Sequence, residues 1–125
     1  MKHFLVLVCC LAFFVVGSQA KATTISKEDW ITTMQTLIAE NLCQKKGYFL
    51  SCWKISQKEC KGTISDVVES CSKKIKKMPE EFDMDSEEGN EFANKVGTCT
   101  GLAFVTEYAD RSITSKKCSS SKNFP

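Results

Sequence analysis

Cysteine is the residue type in this chain whose number and spacing indicate a definite chemistry. The chain has 125 residues and eight cysteines, of which Cys9 and Cys10 lie in an apolar N-terminal stretch. An even number of cysteines in a small exported chain predicts a disulfide framework, which here means three bonds. Zinc sites and redox pairs favour closer spacings, such as C-x2-C, than any found among the remaining six. These six are Cys43, Cys52, Cys60, Cys71, Cys99 and Cys118.

The first twenty residues predict export. Lys2 precedes an apolar run over residues 4–16, and small residues then lead to Ala20. This order is typical of a secretory signal peptide, so we predict a signal peptide over 1–20 and a single mature domain over 21–125. Two alternatives, lipidation at Cys9 or Cys10 and an uncleaved membrane anchor, are disfavoured. Bulky residues before Cys9 and Cys10 suit lipidation badly, and the apolar run is shorter than the ~20 residues that span a membrane.

Three amphipathic helices are predicted to position the six cysteines. Apolar residues recur at helical spacing over about Lys27 to Cys43, Gln57 to Met78 and Glu87 to Asp110. An aromatic linker, Gly47 to Trp53, separates the first two helices and has no clear periodicity, and Pro79 ends the second. No segment shows the sustained alternation of a strand. The predicted fold is all-α, a small disulfide-stapled bundle of three main helices.

Helix geometry restricts the disulfide pairing. Cys60 and Cys71 lie on one face of the second helix but roughly 16 Å apart along its axis. The Cα atoms of a disulfide must approach within about 7 Å, so these two cannot bond to each other. If the third helix folds back antiparallel, Cys71 and Cys99 fall at the same level. We therefore favour Cys71–Cys99 and leave the pairing among the other four cysteines open.

Charge and histidine content argue against two classes of function. Loss of residues 1–20 removes Lys2 and leaves 16 basic against 15 acidic residues, a net charge of +1. Nucleic-acid binding favours a strongly basic face, so we expect no nucleic-acid partner. The same loss removes His3, the only histidine, and with it any Ser-His or Cys-His pair. We expect no enzyme activity, no cofactor and no stable membrane insertion after cleavage.

Two charged runs invite site hypotheses. Read as a calcium loop that starts at Asp83, the acidic run 80–88 places Glu88 where glycine is required and Asn94 where an acid is required. We therefore predict no metal site there. The basic run Lys73 to Lys77 complements the negative end of a helix. Its alternative interpretation is a patch for an anionic membrane or partner.

Three aromatic side chains surround Cys52 in the linker. Tyr48, Phe49 and Trp53 either pack over a disulfide as core or face solvent. Exposed aromatics are favoured anchors of protein interfaces. These three are therefore the candidate interaction residues.

The cysteine spacing also carries a resemblance. The segment Cys43–Trp53, then Cys60, Cys71 and the segment Val96–Gly101 resemble a group of small, functionally unassigned six-cysteine exported proteins of Gram-negative bacteria. The resemblance implies a periplasmic or secreted location and, in pathogens, a secretion-system substrate. No catalytic residues are assigned in that group, so none is transferred. Saposin-like and insect odorant-binding proteins are also helical with six cysteines, but their close cysteine pairs are missing here.

The leading functional hypothesis is a secreted, non-enzymatic, effector-like protein that binds an unidentified protein partner. It predicts a packed core and an exposed aromatic patch of a few hundred Å². The alternative is a carrier that holds a small apolar ligand between its helices. That function requires an enclosed apolar pocket of about 300 Å³ or more.

Overall fold

The computed structural model describes residues 23–120, so the predicted signal peptide lies outside the described residues. The described part is mostly helical, which confirms the predicted disulfide-stapled helical bundle. In chain order its elements are β1 (Thr24–Ser26), α1 (Lys27–Leu42), α2 (Tyr48–Cys52), α3 (Gln57–Lys74), β2 (Glu81–Asp83), α4 (Glu87–Glu107) and a 3-10 turn (Ala109–Arg111).

Each of the three long helices begins at a capping serine. Ser26, Ser56 and Ser86 are extended, and each side-chain oxygen accepts a hydrogen bond from the N–H three residues further on. These bonds satisfy N–H groups that have no partner within the helix. Acidic residues in the first turn of each helix also favour its positive end.

The second long helix ends earlier than predicted. α3 stops at Lys74, because Ile75 is extended and Lys77 adopts a left-handed φ of 61°. Helical spacing predicts that Met78 belongs to this helix and faces the core, and Met78 is indeed buried. It reaches the core from a turn, and the following Pro79 disfavours helical backbone at Met78. The third long helix likewise ends at Glu107 and not at Asp110.

A two-stranded antiparallel sheet is present that the sequence did not predict. β1 pairs with β2 in a register that places Ile25 opposite Phe82. Strands of three residues are too short to show alternation, and these two are far apart in the chain. The Phe82 ring stacks on Trp30 of α1 at 4.6 Å and meets Phe92 of α4 edge-on at 5.7 Å. The sheet thus closes one end of the bundle with aromatic packing.

α3 is the central element of the bundle. α1 and α4 both pack against α3, whereas α1 and α4 contact each other little. Ile64, Val68 and Val96 are fully buried along these two interfaces. Across residues 23–120, no helix combines the length and hydropathy needed to cross a membrane.

Candidate functional site

An open groove lies between α1 and α4. It has a volume of about 460 Å³, and Phe49 of α2 also lines it. One wall comes from α1 and the other from α4. The apolar residues of the walls are Leu37, Ile38 and Leu42 on α1, and Ala93, Gly97, Gly101 and Leu102 on α4.

The groove exists because one face of α4 carries almost no side chain. Ala93, Gly97 and Gly101 are four residues apart, so they form a single stripe along the helix. A Cβ added at Gly97 would meet no atom within 4 Å. The absence of a side chain at this position therefore leaves space in the groove that no packing within the described residues uses.

Two disulfides fix the walls of the groove to α3. Cys43, just after α1, bonds to Cys60 near the start of α3, with their Cα atoms 5.8 Å apart. Cys71 bonds to Cys99 of α4, the pairing that helix geometry favoured, with Cα atoms 5.9 Å apart. α1 and α4 are thus each crosslinked to the same central helix, which holds them apart.

The third disulfide holds α2, whose Phe49 lines the groove. It joins Cys52, the last residue of α2, to Cys118 in the C-terminal segment. The Tyr48 hydroxyl donates a hydrogen bond to the Cys118 carbonyl at 3.0 Å. Phe49 of the same short helix is fully buried beneath the groove.

Two leucines stand exposed on the groove walls. Leu37 of α1 is 53% exposed and Leu102 of α4 is 64% exposed, and no other large apolar side chain among residues 23–120 is classed as exposed. Both leucines line the groove that α1 and α4 leave open.

The polar lining of the groove is neutral. Asn41 comes from α1, and Asn94 and Thr98 come from α4. Amide and hydroxyl groups can both donate and accept hydrogen bonds. No described residue that lines the groove carries an ionisable side chain.

The predicted aromatic interaction surface needs correction. Phe49 is fully buried and Trp53 is 6% exposed, while Tyr48 is half-buried. Phe49 and Trp53 pack at 4.5 Å and 5.8 Å from the ring of Phe104 on α4. Burial of apolar rings favours this core position, so Phe49 and Trp53 form no exposed aromatic patch. The large apolar side chains exposed within residues 23–120 are instead the aliphatic Leu37 and Leu102.

The acidic run is divided between β2, a loop and the start of α4. Glu80 lies 3.4 Å from the Lys27 ammonium, and one carboxylate oxygen of Asp83 accepts the N–H of Asp85. No group of three or more acidic, cysteine or histidine side chains within residues 23–120 is arranged to hold a metal ion.

The segment after α4 is held by the Cys52–Cys118 disulfide and by the side chain of Arg111. The Arg111 guanidinium makes two bonds to the Glu59 carboxylate at 2.6 Å and 3.1 Å, and its Nε donates to the Lys54 carbonyl at 2.9 Å. The hydrogen bond from Arg111 lowers the pKa of Glu59 and raises the pKa of Arg111. This ion pair joins the end of α4 to the start of α3.

These features define a small exported helical protein, held by three disulfides around an open apolar groove. A family model described as T2SS substrate NttA matches residues 24–120, so the chain belongs to this family of type II secretion system substrates. It is therefore a secreted protein that passes through the periplasm, as expected of a small exported protein of Gram-negative bacteria. No curated protein and no solved structure matches the chain.

Proposed function

We propose that this chain is a secreted, non-enzymatic, effector-like protein whose groove between α1 and α4 binds an amphipathic helix of a protein partner. The observation that carries the proposal is the pair of exposed leucines, Leu37 and Leu102, on the walls of a groove of about 460 Å³. Apolar side chains left in water are unfavourable, and burying them on a partner recovers that free energy.

The shape of the groove suits a helix. Its walls are two helices, and the stripe Ala93, Gly97 and Gly101 lets a partner approach the α4 backbone closely. Helices that bind in such grooves insert apolar anchors spaced three, four and seven residues apart. The Asn41 and Asn94 amides can accept or donate hydrogen bonds to polar groups that flank those anchors.

The chemistry of the groove supports binding without catalysis. General acid–base catalysis needs a titratable group at the reacting atoms, and none lines the groove among the described residues. The six cysteines that would supply thiolates are bonded in pairs. These features support a function through contact with a partner.

A carrier of a small apolar ligand is the second candidate, and the volume of the groove favours it. About 460 Å³ exceeds the roughly 300 Å³ that ligand pockets start from. The groove is partly open to solvent, however, whereas a carrier encloses most of its ligand. We therefore place the helical partner first.

Site-specific crosslinking tests the proposal. A photo-reactive amino acid replaces Leu102 in the groove, or Lys58 at the start of α3 as a control, and the mature protein is exposed to host and envelope extracts. We expect a partner that crosslinks at position 102 and not at 58, through an amphipathic helical segment. A synthetic peptide of that segment should then bind the unlabelled protein.

A matched pair of glycine variants completes the test. Gly97→Leu fills the groove, whereas Gly62→Leu adds the same side chain to α3 at a position that is equally open but outside the groove. We expect the first to abolish peptide binding and the second to leave it unchanged. Equal crosslinking at both positions, or binding that survives Gly97→Leu, would contradict the proposal. A small apolar molecule that co-purifies and is lost in Gly97→Leu would favour the carrier.

A further inference from the structure

A second cleft is lined by three basic side chains. It has a volume of about 310 Å³ between the start of α1 and the turn that follows α3. We call it the lysine cleft and define its cations as Lys27, Lys73 and Lys77. No acidic side chain lines it among the described residues. Its remaining lining residues are Ile31, Ser72, Ile75 and Met78.

The backbone at Lys77 indicates that the charge at this position matters. Lys77 has a φ of 61°, the left-handed conformation that glycine or asparagine adopts most easily. The Cβ atom of any other residue disfavours this conformation, yet the chain has a lysine there that lines the cleft. Strained positions of this kind concentrate at functional sites.

The other two cations, Lys27 and Lys73, form only weak ion pairs in this structure. Lys27 lies 3.4 Å from Glu80, whose side chain is 82% exposed. Lys73 lies 2.6 Å from Glu69, and both of these side chains are more than half exposed. Surface ion pairs contribute little to stability, so a ligand with a higher charge can displace the carboxylates.

The cleft suits a compact dianion with an organic part attached. A phosphate monoester carries about −1.5 to −2 charges at neutral pH, which matches a cleft lined by three lysines better than a single carboxylate does. Ile31, Ile75 and Met78 offer apolar contacts below the cations. The basic run ends at Lys77 and acidic residues begin at Glu80, so the basic surface is too short for an extended polyanion.

We propose that the lysine cleft binds the phosphate monoester group of a ligand, which is either a lipid headgroup or a soluble phosphate ester. The start of α1 contributes a positive helix end and the end of α3 a negative one, so the two dipoles largely offset each other. The lysine side chains therefore set the charge of the site. This site is separate from the groove, and its test does not depend on the proposed partner.

Amide chemical shifts provide the first arm of the test. Inorganic phosphate and glycerol 3-phosphate are titrated into the isotope-labelled mature protein at constant ionic strength, with chloride as the reference. We expect saturable shifts at residues 73–78 and at Lys27 with the phosphates and none with chloride. In the second arm, phosphatidylcholine vesicles carry either phosphatidic acid, a monoester, or phosphatidylglycerol, a diester. Binding that prefers phosphatidic acid would identify the lipid source.

Two variants control for charge and for folding. Lys77→Gly removes a cation and relieves the left-handed φ, so its melting temperature should equal or exceed that of the wild type. We expect it to weaken phosphate binding about fivefold, the effect of one surface cation. Lys58→Gln removes a charge at the other end of α3 and should have no effect. Equal binding to both vesicle types with no response to either phosphate, or equal weakening by both variants, would overturn the proposal.

Discussion

At the scale of single residues, two buried polar atoms have no hydrogen-bond partner in the described structure. They are Oγ1 of Thr100 on α4 and Nε1 of Trp53. Thr100 follows Cys99 in the sequence and is fully buried. A buried hydroxyl without a partner costs about 1–3 kcal/mol of desolvation. Thr100 is therefore a position at which the native residue lowers stability.

Replacing this hydroxyl with a methyl group should stabilise the protein. We expect Thr100→Val to raise the free energy of unfolding by about 1 kcal/mol, measured by urea denaturation. Thr106→Val is the matched control, because the exposed Thr106 hydroxyl donates to the Leu102 carbonyl at 2.9 Å. It should change stability by less than about 0.5 kcal/mol. A loss of stability in Thr100→Val would show that the hydroxyl has a partner in solution.

The ion pair between Arg111 and Glu59 makes stability depend on pH. Arg111 holds the pKa of Glu59 below its ordinary value of 4.5. A carboxylate whose pKa is lowered by folding contributes stability above its unfolded pKa, and that contribution is lost as pH falls through the folded pKa. The link between α3 and the end of α4 should therefore weaken in acid.

Glu59→Gln should remove this part of the pH dependence. We expect the melting temperature of the wild type to fall more steeply than that of the variant as pH is lowered from about 6 to about 3. Arg111→Gln should flatten the same profile, since it removes the other partner. If both variants kept the full acid loss of the wild type, the ion pair would not be its source.

At the scale of the elements, two glycines of α4 have opposite roles. A Cβ at Gly89 would lie 2.7 Å from the Asp83 carbonyl oxygen, so close approach of β2 to the helix start requires glycine there. A Cβ at Gly97 would contact nothing within 4 Å. Glycine inside a helix is less favourable than alanine, so Gly97 lowers the stability of α4 without a packing reason.

These positions predict alanine substitutions of opposite sign. Gly89→Ala should lower the free energy of unfolding by about 1–3 kcal/mol, because the backbone of β2 must move. Gly97→Ala should raise it by about 0.5–1 kcal/mol. Gly62→Ala, on the exposed face of α3, serves as the control and should match Gly97→Ala. These changes would be measured by thermal unfolding followed by circular dichroism. If Gly89→Ala and Gly97→Ala changed stability in the same direction, this interpretation would be contradicted.

The helices were predictable because their determinants are local. Capping serines at 26, 56 and 86 and apolar spacing set their starts within the sequence itself. The end of α3 was missed because Ile75 and Met78 keep the helical spacing while the backbone turns at Lys77. The strand pair was missed because its stability comes from Phe82 packing on Trp30, a contact between distant segments.

At the scale of the whole molecule, the disulfides determine where a surface stays open. Cys43–Cys60 and Cys71–Cys99 join α1 and α4 to α3 and not to each other. Loops of these lengths contribute about 3–4 kcal/mol each in the chain-entropy model. Transit through the periplasm, an oxidising compartment, allows these bonds to form. The crosslinked frame keeps the groove in place with little contact between α1 and α4.

The groove itself could be predicted only in part. The Cys71–Cys99 bond could be predicted, because antiparallel packing of α3 and α4 brings these two cysteines to the same level. The exposure of Leu37 and Leu102 could not be predicted, because periodicity shows that a residue shares a face with core residues but not whether a second helix covers that face. The small residues at 93, 97 and 101 were the sequence feature that could have indicated the groove.

Disulfide mapping of the secreted protein tests the central claim, a helical frame crosslinked at three points, most directly. The secreted protein is unfolded without a reductant, and an alkylating agent marks any free thiol. The protein is then digested and analysed by mass spectrometry. The account predicts three linked peptide pairs, Cys43–Cys60, Cys52–Cys118 and Cys71–Cys99, with no alkylated cysteine among these six. Alkylation of Cys71 or Cys99, or a bond between Cys60 and Cys71, would contradict it.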